Sequence, residues 1–329
     1  MFKKYFLITI LVTLLISCNK PTINEEPAKK QYEWQYFKTK DGLAANMVYD
    51  IAIDKDNTKW FATEFGVSRF NDQTFTNFTQ SSGLLDHKIN CIAVDLNNEI
   101  WCGSDLGLNR YDGSLWTTYT FENGLVNNHI YDIAVDGLNN IWIATAEGVS
   151  KYNRIEFVNY QKQGDQSLVN NKVRAISVSP DNTIWFGTEF GISSLNTQNE
   201  WFTYINPNNS NAFNLSALAV SNTQIWFGTL NGACAYTNGS WHTFSIDQGL
   251  VWPIVQDISL DKLGYIWFAT RKGISWYDGN DFHSITTQDL LSDDYVNAIQ
   301  IDQNGAIWIA TNSEGLCKLI VLSQQEKSE

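Results

Sequence analysis

The chain has 329 residues, 43% apolar and 14% aromatic, with 22 Lys and Arg against 35 Asp and Glu for a net charge of −13. That apolar and aromatic content can bury a core and excludes a disordered chain. Only five arginines are present, Arg69, Arg110, Arg154, Arg174 and Arg271. Scattered along an acidic chain, they argue against a phosphate-gripping basic face and so against a nucleic-acid partner.

The first segment reads as an address. Lys3 and Lys4 precede an apolar run from Tyr5 to Ile16, too short for a span of about 20 residues and typical of a secretory signal. It ends in Leu15-Ile16-Ser17-Cys18, which resembles the lipobox of bacterial lipoproteins. The resemblance implies a signal peptide over 1–17 and acylation of Cys18, with membrane attachment through lipid. An ordinary signal peptide is the alternative. Loss of Lys3 and Lys4 takes the net charge from −13 to −15. Asn19 follows the cysteine where an Asp would favour inner-membrane retention, so the same resemblance points to an outer membrane, facing periplasm or cell surface. Residues 18–31 are polar with two prolines and read as a tether.

From residue 32 the chain repeats. The strings KWFAT, IWCGS, IWIAT, IWFGT, IWFGT, IWFAT and IWIAT carry Trp60, Trp101, Trp142, Trp185, Trp226, Trp267 and Trp308, spaced by 41, 41, 43, 41, 41 and 41 residues. A constant period of this length marks one repeat architecture. Each copy reads as four short strands: an apolar one such as VYDIAID, the Trp strand, a strand like GVSRF, and one carrying Phe75, Trp116, Phe157, Trp201, Trp241 or Phe282. A Gly such as Gly66 turns the chain after the Trp strand, and Ala or Gly two positions past each Trp suits close packing of neighbouring sheets. Four-stranded units of this period are blades, and the fold expected is an all-β, seven-bladed β-propeller over 32–322, followed by a polar tail over 323–329. The last copy stops after its third strand near Leu322, while YEWQYFKTKDGL at 32–43 parallels WTTYTFENGL at 116–125. An N-terminal strand therefore completes the last blade and closes the ring. The repeated tryptophans are inter-blade core.

The repeated pattern D..N.IWFAT..GVSRY resembles the two-component-regulator propeller repeat, found in the extracytoplasmic sensors of hybrid histidine kinases. The resemblance covers all seven copies and implies extracytoplasmic sensing. Kinase activity does not carry over, because no second propeller, β-sandwich or kinase region follows in this sequence. A weaker likeness is to streptogramin lyases, whose chemistry uses His, an acid and a magnesium ion on one face of the ring.

In a propeller the channel mouth is built from the starts of the innermost strands and the loops between second and third strands. Ten and eleven residues before each Trp stand Tyr49/Asp50, Asn90/Cys91, Tyr131/Asp132, Arg174/Ala175, Gln256/Asp257 and Asn297/Ala298, with Ser216/Ala217 in the shorter fifth copy. Nearby loops add Glu189-Phe190, Trp252-Pro253 and Arg271-Lys272. Planar hydrogen-bonding groups beside aromatic faces suit a sugar or small peptide. The candidate binding residues are Tyr49, Asp50, Tyr131, Asp132, Arg174, Glu189, Phe190, Trp252, Asp257, Arg271 and Asn297. A water-filled polar channel without a ligand is the plain alternative.

Chemistry is harder to place. His87 and His129 fall in equivalent loops of adjacent copies, with Asp86 and Asp132 near, and could hold a divalent ion as the enzyme alternative, but neither cofactor nor catalytic residue is expected. The Asp six residues before most tryptophans reads as turn chemistry, with calcium as the alternative. Cys91 and Cys102 lie on neighbouring strands and could form a disulfide; Cys234 and Cys317 read as small core residues. The reading is a non-enzymatic envelope recognition module for a glycan, a small molecule or an envelope protein. A metal-dependent lyase or hydrolase at the mouth is the alternative.

Overall fold

A computed structural model describes residues 31–164, 167–204, 215–221 and 224–322. The signal peptide, Cys18, the tether and the 323–329 tail lie outside the described residues. Seven four-stranded antiparallel sheets form the molecule. Six are made of strands consecutive in sequence, beginning at Val48–Ile53, Ile89–Val94, Ile130–Val135, Val173–Val178, Ala217–Val220 and Val255–Leu260. The seventh joins Val296–Ile301, Ile307–Thr311 and Leu316–Leu322 to the N-terminal strand Gln31–Phe37. That strand runs antiparallel to the last, with Trp34 opposite Leu319 and Phe37 opposite Leu316. The expected closure is therefore present. Among the described residues, no helix is long and apolar enough to cross a membrane.

The core lies between the sheets as seven apolar clusters. In one, Trp308 of blade 7 packs with Phe61 and Phe70 of blade 1. Burial is the driving term, at about 25 cal/mol per Å² of apolar surface removed from water. The small residue after each Trp sets the spacing. A Cβ on Gly103 would sit 2.5 Å from Ile130 Cγ2 of the next blade, and one on Gly228 would sit 2.6 Å from Val255 Cγ1. The turn between second and third strands needs glycine: Gly66 has φ +104°, and a Cβ there would meet the Phe78 carbonyl oxygen at 2.0 Å.

The recurrent Asp does more than shape its turn. Asp95 Oδ1 accepts the Asn97 and Glu99 N–H groups, and its Oδ2 accepts the indole N–H of Trp101 at 2.7 Å. Asp54, Asp136, Asp261 and Asp302 hold Trp60, Trp142, Trp267 and Trp308 in the same way, at 2.9 to 3.0 Å. One carboxylate thus satisfies a turn and the polar edge of a buried Trp. Blade 4 substitutes Ser179, at a longer 3.3 Å, and blade 5 uses Gln224. At the closure seam Lys59, fully buried where other blades carry Ile, lies 2.8 Å from Asp72 and 3.7 Å from Asp302 of blade 7.

The cysteine pair does not bond. From Val94 opposite Ile100 the two inner strands run in regular register, which sets Cys102 opposite Ile92 and Cys91 opposite Gly103. Cys91 packs with blade 3 residues such as Ile130, and Cys102 with blade 1 residues such as Val67. The thiols lie on opposite faces of one sheet, and all four described cysteines are free and buried.

Candidate functional site

The mouth follows from one irregularity repeated around the ring. The register of the two inner strands shifts between Val48 and Asp50, Ile89 and Cys91, Ile130 and Asp132, Val173 and Ala175, Val255 and Asp257, and Val296 and Ala298. A bulge leaves one extra residue unpaired and re-aims it. Tyr49, Asn90, Tyr131, Arg174, Gln256 and Asn297 are those residues, and Ser216 precedes the shorter strand of blade 5. With their neighbours they line a cavity of about 230 Å³ on the ring axis, to which all seven blades contribute. Of the sequence candidates, Tyr49, Asp50, Tyr131, Asp132, Arg174, Asp257 and Asn297 meet there.

Most of these polar groups are already committed to the ring. Asp50 Oδ1 accepts its neighbour Ile51 N–H at 2.7 Å and Oδ2 accepts Ile92 N–H of blade 2 at 2.7 Å. Asp132 does the same with Ile133 and Ile176 of blade 4, at 2.7 and 2.8 Å, and Asp257 with Ile258 and Ile299 of blade 7, at 2.8 and 2.9 Å. The other hand of the clasp is a donor. Asn90 Nδ2 reaches the Ile130 carbonyl at 3.0 Å, Asn297 Nδ2 the Val48 carbonyl at 2.8 Å, and the Ser216 hydroxyl the Val255 carbonyl. Six of the seven blade junctions thus carry a side-chain-to-backbone clasp at the inner rim. Between blades 4 and 5 none is found among the described residues, because Arg174 turns instead to Glu189, at 3.3 Å, and over the Tyr131 ring, at 4.4 Å.

Three carboxylates around one small cavity disfavour their charged forms. Burial pushes Asp132 up to about 7 against two backbone hydrogen bonds that lower it. Burial, with the Asp257 charge second, raises Asp50 well above the carboxylate range, and burial raises Asp257. Glu189 moves the other way, lowered first by Lys172 at 2.7 Å and then by Arg174.

What is left for a ligand is narrower than the sequence implied. The Tyr49 hydroxyl reaches only Met47 Sδ, at 2.9 Å. The Tyr131 hydroxyl and the Gln256 amide, which was not among the sequence candidates, make no hydrogen bond among the described residues while lining the cavity. Glu189, Phe190, Trp252 and Arg271 stand outside the cavity lining: Phe190 is exposed, Arg271 lies 5.2 Å over the Tyr295 ring, and Lys272 Nζ sits 4.0 Å over the Trp252 ring. The half-buried Trp252 thus has a cation on one face.

The alternative of a metal at His87 and His129 does not form among the described residues. His87 Nδ1 pairs with Asp86 at 3.0 Å and His129 Nδ1 with Asp105 at 3.4 Å, while Asp132 is held in its clasp. Among the described residues, no three His, Cys, Asp or Glu side chains gather as a metal site.

Comparison with known proteins places this architecture. The family model of the two component regulator propeller matches residues 124–147, 167–190 and 290–313. None of the curated proteins matches the sequence. In three dimensions the chain is similar to the extracellular domain assigned to hybrid two component system BT3049 from B. thetaiotaomicron. Identity is 22% and the TM-score 0.75, over 88% of this chain and 42% of that one. The corresponding domain of BT4673 from the same organism gives 19% and 0.71, over 90% and 40%. Virginiamycin B lyase from Staphylococcus aureus gives 16% and 0.72, over 89% and 100%. The chain therefore spans less than half of the two extracellular domains and the full length of the lyase. These likenesses bear on the fold, a seven-bladed propeller with repeats of the regulator type.

Proposed function

We propose that this chain is a non-enzymatic recognition module of the bacterial cell envelope, lipid-anchored through Cys18, that binds a small hydroxyl-rich ligand such as a glycan end at the propeller mouth. The observation that carries the reading is the set of groups facing the cavity and not consumed by the clasps: the two phenols Tyr49 and Tyr131, the Gln256 amide and the Arg174 guanidinium. Phenol rings offer stacking faces, and an amide and a guanidinium offer planar donors. A volume of about 230 Å³ suits one sugar ring or a short side chain rather than a polymer. The likeness to extracellular domains of two component systems supports an extracytoplasmic setting and a sensing role exercised through a partner protein. The lyase reading has the matching fold, but among the described residues no three His, Cys, Asp or Glu side chains gather to hold a metal.

The test is a glycan and envelope-protein binding screen on the chain, followed by calorimetry with the best ligand. Tyr131→Ala and Gln256→Ala are expected to weaken binding at least tenfold, about 1.4 kcal/mol each. Trp252→Ala should change it little, since its ring lies outside the cavity. Equal binding by the two mouth variants, or a larger loss at Trp252, would move the site off the mouth.

A further inference from the structure

The two ends of the propeller differ in their surfaces. Turns between first and second strands, and between third and fourth, all lie on the face opposite the mouth. Leu96, Leu138 and Leu263 occupy turns of the first kind in blades 2, 3 and 6; Leu115 and Ile155 occupy turns of the second kind in blades 2 and 3. Four of them are the most exposed large apolar residues among those described: Ile155 at 87%, Leu138 and Leu263 at 78%, and Leu115 at 70%. Blade 6 is three blades away from blades 2 and 3 in either direction, so the tips form a spread footing rather than a patch.

The chain enters on that same face. Gln31 pairs with Leu322 at the end of the ladder away from the mouth, and the strand then runs up to Phe37. Exposed Tyr32 and Val321 stand opposite each other there. Gln31 lies thirteen residue steps beyond Cys18, a reach of about 45 Å at most when fully extended.

We infer that the face opposite the mouth rests on a lipid bilayer, with Leu96, Leu115, Leu138, Ile155 and Leu263 dipping into the interface and the mouth turned outward. This rests on the lipid-anchor reading above. A protein partner would need a contiguous, closely packed apolar centre. Single aliphatic tips separated by polar turns instead suit a deformable apolar phase, entered side chain by side chain. Charge does not drive the contact. Lys55, Lys262 and Arg154 on this face are outnumbered by Asp56, Asp72, Asp112, Glu156, Asp181, Asp278 and Asp281. The contact is therefore weak alone, insensitive to salt on neutral lipid and opposed by anionic lipid, and it becomes effective because the anchor holds the face close.

The test places a polarity-sensitive dye at Leu138→Cys or, on the mouth face, at Phe65→Cys; the native described cysteines are buried. The full chain is joined to phosphatidylcholine vesicles through its acylated Cys18, or through a His tag at that position should fatty-acid labelling of Cys18 fail. Blue-shifted emission and quenching by brominated lipid at position 138, with neither at 65, is the expected result. A water-like spectrum at 138 on a vesicle-bound chain overturns the inference while leaving the anchor standing. Failed labelling of Cys18 overturns the anchor, and the tagged chain still decides the inference. Shielding of 138 only after envelope proteins are added overturns the lipid assignment in favour of a protein. The triple variant Leu138→Ser, Ile155→Ser, Leu263→Ser alters exposed side chains only and should abolish the shift of a dye at Leu96→Cys.

Discussion

At the scale of single residues, two aspartate sets do different work. The turn aspartates are hydrogen-bond acceptors with an indole N–H on one oxygen. Asp95→Ala removes that acceptor and the turn bonds together, and should cost roughly 2–4 kcal/mol in urea unfolding; Ser179→Ala, in the blade that already lacks the Asp, should cost under about 1. The mouth aspartates titrate. Asp132 rises from an ordinary value of 3.8 to about 7 in the folded chain, so between those values the folded state holds more protons than the unfolded one. Stability contributed this way is present at low pH and lost as pH climbs towards 7, and Asp50 and Asp257 act in the same direction. Chemical denaturation at pH 5 to 8 should show falling stability, with a flatter slope in Asp132→Asn. That variant is also weaker at pH 5, because its amide has one acceptor oxygen and can take only one of the Ile133 and Ile176 N–H groups. Spacing also gives a packing test. Gly103→Ala should destabilise by about 1–3 kcal/mol against Ile130, whereas Gly187→Ala, whose Cβ would meet Ala175 and Leu215 at an ordinary 3.5 Å, should be close to neutral. The constant six-residue interval from Asp to Trp was visible in the sequence as a turn signal. The indole bond was not, because it depends on how the ring folds back over the turn.

At the scale of strands, the blades, their order and the borrowed closing strand could be read from periodicity. Hydrophobic pattern and turn residues are local, and the Trp34 register repeats that of Trp116. The pairs ringing the mouth could be read for the same reason: positions ten and eleven before each Trp fall at the bulge. Their commitments could not. Whether Asp50 is free or spent depends on the Ile92 N–H of the next blade, a contact between residues 42 apart. The possible disulfide is closed off by register: Cys102 stands opposite Ile92 rather than Cys91, so strand alternation puts the two thiols on opposite faces. Phe37 is the packing key of the closing strand, with ring centroids 5.1 to 5.9 Å from Phe70, Phe75 and Trp308. Phe37→Ala should cost about 3–5 kcal/mol and, unlike an equal loss inside blade 3, should speed proteolysis at the N-terminal strand.

For the whole molecule, the ring has one weak seam. Between blades 4 and 5 no inner clasp is found among the described residues, the turn Asp is replaced by Ser179, and Trp185 is the most exposed of the seven repeat tryptophans at 9%. A second cavity, of about 240 Å³, opens there beside Trp185, Val220, Ile225 and Tyr236. Hydrogen exchange should be faster in Val173–Val178 and Ala217–Val220 than in the innermost strands of blades 1 and 2, since local opening follows the fewest buried contacts and bonds. Uniform protection around the ring would remove the seam.

The closing strand is the outermost of blade 7 and runs from the face turned away from the mouth towards the mouth face. A pull on the chain ahead of Gln31, resisted by something gripped at the mouth, therefore runs parallel to that strand. Its seven residue pairs with Leu316–Leu322 are then loaded in shear, all together, instead of being peeled one after another. A ring fastened by so short a zipper can thus carry tension between its two faces without coming undone.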